Sequence, residues 1–188
     1  MKPEKGKTID GQPYPLGDAD LKKDRRKAKN LLHRLNVTEY RMTKNARLIL
    51  EELLPNAGNN LYIEPPFFCD YGYNISCGDN VFFNVNCVVL DENKVTIGSH
   101  VLFGPGVQLY TASHPLESQM RRTHKVTKPI SIGDDCWIGG NTVICPGVTI
   151  GKGCVIGAGS VVTKDIPDNC MVAGVPAVIK KELTKIVF

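Results

Sequence analysis

The chain has 188 residues, and its 23 Lys and Arg against 19 Asp and Glu leave a formal charge of +4, too mild and too evenly mixed to argue for nucleic acid. This length suits one or two domains. The sequence shows no signal-peptide pattern, no apolar run long enough to span a membrane and no low-complexity tract, so a soluble cytoplasmic protein is expected.

The first 56 residues read as helical. Asp18 or Asp20 is placed to cap a helix carrying Leu21, Ala28, Leu31, Leu32 and Leu35. Thr38 is placed to cap a second, with Ala46, Ile49, Leu50, Leu53 and Leu54, that stops at Pro55. Much of the positive charge sits in the first helix, where Lys22, Lys23, Arg25, Arg26, Lys27 and Lys29 surround Asp24. A solvated face and an anion-binding face are both open readings of that run.

A hexapeptide repeat follows. It is clearest from Ile132 to Pro167, where Ile132, Ile138, Ile144, Ile150, Ile156 and Val162 recur every six residues. Each is followed by Gly133, Gly139, Cys145, Gly151, Gly157 or Thr163, and three residues later by Cys136, Thr142, Val148, Cys154, Ser160 or Ile166. This is the mark of a parallel β-helix, an all-β solenoid in which three hexapeptides close one triangular coil. The aliphatic residue fills a narrow core, the second inward position must be small, and glycine lets the backbone turn the corner. Upstream, the same register is read through Ile63, Cys69, Ile75, Val81 and Cys87, then Ile97, Phe103 and Leu109. That reading implies four inserted residues around Asp91 to Lys94 and an extruded loop over about 115–129. Interruptions of a solenoid lie on its surface and are where binding groups are expected. The repeat region, 57–188, degenerates after Val162 into a basic tail, and the helical segment is expected to shield the open end of the coil.

Seven cysteines lack zinc-site spacing, and Cys69, Cys87, Cys136 and Cys154 fall on inward positions as small hydrophobes. Cys136 and Cys154 should stack one coil apart as reduced thiols. Of four histidines, His33 reads as structural, His100 as outward and His124 as part of the long loop. His114 stands at the mouth of that loop, before Pro115, and is the candidate base.

Asp10 to Tyr14, Leu31 to Asn36, Asp70 to Ile75, Thr111 to Pro115, Trp137 to Gly140 and Val162 to Pro167 together resemble the maltose and galactoside O-acetyltransferases over nearly the whole chain. The resemblance implies a left-handed β-helix assembled as a homotrimer with active sites between subunits. It also implies acetyl-coenzyme A as co-substrate, direct attack by a sugar hydroxyl, and no metal. By the same resemblance, His114 matches the general base and Gly140 the backbone N–H that meets the oxyanion. Asn84, Asp91 and Arg25 match acceptor-pocket positions, while Trp137, Gly140, Ala158, Thr163, Lys164 and Lys181 match the coenzyme track. The chain departs from the galactoside branch at Val178, where that branch has arginine, and at Leu16, where it has an acid.

Other readings remain at this point. The chain could be an acetyltransferase with a non-sugar acceptor or a non-catalytic hexapeptide scaffold subunit. A carbonic-anhydrase-like metal enzyme is disfavoured, because His100 and His114 are 14 residues apart, out of phase with a coil of roughly 18.

Overall fold

A computed structural model describes residues 11–15, 17–38 and 42–183, so that Leu16 and the last five residues lie outside the described part. Helix α1 spans Ala19–Thr38 and α2 spans Lys44–Leu53. Asp18, not Asp20, caps α1: its Oδ1 accepts the Leu21 N–H at 2.8 Å. The cap of α2 is Thr43, whose hydroxyl accepts the Ala46 N–H, and not the expected Thr38, which still belongs to α1.

The remainder is a left-handed β-helix of about six turns. Its three faces are parallel sheets. The first stacks Asn56–Ala57, Ile75–Cys77, Val95–Ile97, Ile130–Ile132 and Thr149–Ile150. The second stacks Tyr62–Ile63, Phe82–Phe83, Leu102–Phe103, Trp137–Ile138, Val155–Ile156 and Cys170–Ala173, and then Val178–Glu182 in antiparallel sense. The third stacks Phe67–Cys69, Cys87–Leu90, Gln108–Tyr110, Val143–Ile144 and Val161–Val162.

One continuous core runs up the prism and joins the helices to it. Along the second face the inward residues Ile63, Phe83, Phe103, Ile138, Ile156 and Val172 lie in register, each buried. Phe83 and Phe103 stack at 4.3 Å between ring centroids, and Phe67 meets Phe83 edge-on at 5.4 Å. The outer rows differ sharply. The first face shows Asn56, Ser76, Thr96, Ser131 and Thr149, whereas the second shows Tyr62, Phe82, Leu102, Trp137, Val155 and Met171. The third shows Phe68, Val88, Gln108, Val143 and Val161.

Strand pairing corrects the upstream register. Cys77 pairs with Ile97, Phe83 with Phe103, and Val89 with Leu109, so the repeat passes through 77, 83 and 89 and not through Ile75, Val81 and Cys87. All six side chains are buried, since the residue two before each repeat position also points inward, and burial alone cannot separate the two rows. The single four-residue insertion is therefore two insertions of two residues, one between Cys69 and Cys77 and one between Val89 and Ile97. Both fall on the corner between the third and first faces. The long insertion between Leu109 and Ile132 leaves from that same corner.

That long insertion is an antiparallel hairpin. Ala112–Ser113 pairs with His124–Thr127, which pairs in turn with Tyr14–Pro15, and a 3-10 turn at Met120–Arg122 closes the tip. Cys136, Cys154 and Cys170 are buried free thiols stacked in one inward row.

Candidate active site

Three successive coils break out at one corner, and their insertions meet α1 and the strand Tyr14–Pro15 there. The result is a charged cluster. Arg25 Nη2 donates to Glu92 Oε1 at 2.7 Å and to the Tyr71 hydroxyl at 3.1 Å. Its guanidinium lies over the Tyr71 ring at 5.1 Å, and its Nε stands 3.1 Å from Asp70 Oδ1, an ion pair without hydrogen-bond alignment. Lys125 Nζ donates to Glu92 Oε1 at 2.6 Å, and the Tyr14 hydroxyl donates to Oε2. Glu92 thus receives donors from α1, the N-terminal strand and the hairpin while its side chain is 3% exposed.

The two acids of this cluster are pushed apart. Burial works to raise the Glu92 carboxyl, but hydrogen bonds from Lys125 and Tyr14, with the charges of Lys125 and Arg25, bring it below the usual carboxylate range. Asp70 goes the other way, because its burial outweighs the nearby Arg25 charge. Asp70 keeps 18% of its side chain exposed, so this is the carboxylate open to a ligand.

Asp91, matched to the acceptor pocket in the sequence, is held by the backbone of the turn below. It is fully buried, and its carboxylate accepts the N–H groups of Asp70, Tyr71 and Gly72 at 2.9, 2.9 and 2.7 Å. It braces the lower turn, with Oδ1 taking two of these N–H groups and Oδ2 the third. Burial, countered by those three N–H groups, raises it to about 6. Gly72 is required beneath it, because with φ at +84° a Cβ there would lie 2.1 Å from the Leu53 carbonyl oxygen.

His114 follows Ser113 directly, at the end of the first hairpin strand, and is exposed. Thr163 and Lys164, also exposed, continue this corner at the top of the prism, one coil above Cys145 and Pro146.

The remaining expected residues stand elsewhere. Asn84, Gly140 and Ala158 lie on the corner between the second and third faces, and Trp137 and Lys181 on the second face itself. Gly140 and Ala158 occupy successive coils, with the Gly140 carbonyl accepting the Gly159 N–H at 2.9 Å. The steric need for glycine falls on Gly139, where a Cβ would sit 2.5 Å from Ala158 N; at Gly140 the nearest atom is the Pro105 carbonyl oxygen at 3.1 Å. Asn84 Oδ1 accepts the Val85 N–H at 2.8 Å and so supports its own corner. Trp137 is 55% exposed beside Leu102, which is 49% exposed, and Lys181 lies three strand spacings away through Val155 and Met171, about 14 Å. An exposed indole, a small-residue corner and basic ends suit a long, partly apolar chain that terminates in phosphates.

Within one chain, then, Arg25 joins the cluster on one corner while Asn84, Gly140 and Ala158 stand on the next, one prism face away. Glu92, Asp70, Tyr14, Tyr71 and Lys125 were not singled out from the sequence. A correct count of the upstream repeat would have found the first two, since it puts both two-residue surpluses on one corner. A cavity of about 700 Å³ lies against α2, lined by Leu50, Leu54, Leu61 and Tyr62, and a smaller one of about 210 Å³ borders the charged cluster at Tyr71. Among the described residues, no group of three or more His, Cys, Asp or Glu is arranged to hold a metal ion, and no helix is long and apolar enough to cross a membrane.

Comparison with known proteins bears on both halves of the molecule. Residues 7–58 match the maltose acetyltransferase hexapeptide capping motif, and residues 129–164 match the hexapeptide repeat of succinyl-transferase. The galactoside O-acetyltransferase of Escherichia coli (strain K12) is 40% identical over 164 residues, 87% of this chain and 81% of its own length. A crystal structure of a maltose O-acetyltransferase from Clostridium difficile 630 superposes with a TM-score of 0.94 at 42% identity, covering 97% of this chain and 98% of that one. A hexapeptide-repeat acetyltransferase from Vibrio cholerae in complex with acetyl-coenzyme A gives a TM-score of 0.89 at 39% identity, covering 97% and 100%. The chain therefore belongs to the hexapeptide-repeat family of maltose and galactoside O-acetyltransferases.

Proposed function

We propose that the protein is an acetyl-coenzyme A dependent O-acetyltransferase acting on a sugar hydroxyl, and that it works as a homotrimer with its sites between neighbouring chains. The observation that carries this reading is the partition just described. The acceptor-side groups His114, Arg25, Asp70 and Glu92 share one corner, and Gly140, Ala158 and Trp137 stand across an outwardly apolar face. A three-fold arrangement would bring the first corner of one chain against the second corner of its neighbour and cover apolar outer rows.

In that arrangement acetyl-coenzyme A supplies the acetyl group as a thioester along Trp137, Gly140 and Ala158, with Thr163, Lys164 and Lys181 toward its phosphates. His114 takes the proton of the acceptor hydroxyl as the new C–O bond forms. The Gly140 N–H meets the developing oxyanion. The C–S bond then breaks, and the proton held by His114 passes to the departing thiolate, which leaves as free thiol. Asp70 and Arg25, an acceptor and a donor of hydrogen bonds, suit the sugar hydroxyls, which do both.

The test is thiol release from acetyl-coenzyme A with maltose, glucose, galactosides and amino acids as acceptors, alongside sedimentation of the same samples. The reading expects turnover with a sugar, a trimer, and loss of turnover with an intact trimer in His114→Ala. A monomeric active enzyme, or no thiol release with any acceptor, would overturn it.

A further inference from the structure

Asp91, Glu92 and Asn93 form an uninterrupted run of buried polar residues, at 0%, 2% and 1% exposure, at the base of the hairpin. Asp91 braces the turn below. Glu92 gathers Arg25, Tyr14 and Lys125, and Asn93 reaches the two stems of the hairpin. Its N–H donates to Thr111 Oγ1 at 2.9 Å and its Nδ2 donates to Thr127 Oγ1 at 3.0 Å. The Thr111 hydroxyl in turn donates to the Leu90 carbonyl at 2.6 Å, tying the stem to the coil beneath.

These anchors lead to one place. Lys125 and Thr127 belong to the second hairpin strand, which is laddered to the first through Ala112 with Thr127 and Ser113 with Val126. The next residue is His114. The imidazole is on the surface, so its position is set by the backbone that carries it, and that backbone is fastened from behind. Glu92 has both oxygens occupied and almost no exposed surface, which suits a fastener better than a ligand contact.

We propose that Glu92 and Asn93 are positioning residues for His114: they lock the hairpin to the coil and to α1, and so fix the reach of the base without touching the acceptor. This rests on the reading of His114 as general base. Sub-ångström play at that point is costly, since a catalytic group displaced by about 1 Å loses up to roughly 10²-fold in rate.

The experiment compares Glu92→Gln, Lys125→Met, their double variant and Asn93→Ala with wild type, by steady-state thiol release and by the ring resonances of His114 in nitrogen-15 spectra. The inference expects kcat to fall with both KM values held, the His114 signal to shift or broaden, and the double variant to match the worse single, because the Glu92–Lys125 ion pair is missing from all three. Lys125→Arg should restore both readouts. Lys125 is 22% exposed, so its replacement leaves a folded chain even where Asn93→Ala does not. A raised acceptor KM with kcat kept would make Glu92 a ligand contact instead and overturn the inference. So would an unmoved His114 signal, a readout that needs no acceptor. Full turnover by His114→Ala would sink the underlying reading and this inference with it, whereas loss in His114→Ala with wild-type Lys125→Met would sink the inference alone.

Discussion

Asn36 and Phe67 exchange the two hydrogen bonds of a β-pair, although Asn36 is in a helix. Phe67 N–H donates to Asn36 Oδ1 at 2.9 Å, and Asn36 Nδ2 donates to the Phe67 carbonyl at 2.8 Å. Phe67–Cys69 is the lowest strand of the third face, so the amide stands in for the coil that is missing below. An open sheet edge is thereby closed by one side chain.

Asn36→Ala should cost about 1–3 kcal/mol of stability, the penalty of leaving the shielded Phe67 groups unpaired. Urea unfolding at fixed protein concentration measures it. An unchanged midpoint would mean that water replaces the amide and the edge is not closed by it.

Asp91 gives a pH prediction with a definite sign. Its folded-state value of about 6 exceeds the ordinary 3.8, so the folded chain holds the proton more tightly, and stability from this group is present below pH 4 and lost as pH rises through 6. The size is on the order of 3 kcal/mol. Asp91→Asn has no such loss, so its deficit relative to wild type should be larger at pH 4 than at pH 7. A deficit that grows with pH would show that the three backbone N–H groups outweigh burial.

Gly139 and Gly140 should respond differently to alanine. At Gly139 the added methyl meets Ala158 N at 2.5 Å, which forces two coils apart, and a loss of about 1–3 kcal/mol is expected from such overpacking. At Gly140 the nearest atom is 3.1 Å away and φ is not in the left-handed region, so stability should stay near wild type. Thermal unfolding of the two variants decides it, and equal midpoints would contradict the close approach between coils.

The sequence by itself determined the β-helix, because a six-residue period repeated without a break over Ile132 to Val162 leaves a chain few other ways to bury one aliphatic row. It also located the hairpin and singled out His114 at its mouth, since a solenoid can only expel what does not fit its period. It could not determine the register between Cys69 and Ile97, where Ile75, Val81 and Cys87 are as inward as Cys77, Phe83 and Val89. Only the tertiary structure decided that Arg25 meets Glu92, 67 positions away, and that Asp91 faces the core while its neighbour gathers the charges. The physical reason is that period and pattern are local, whereas the partner of a buried charge is whichever donor the stacked coils bring within about 3 Å of it.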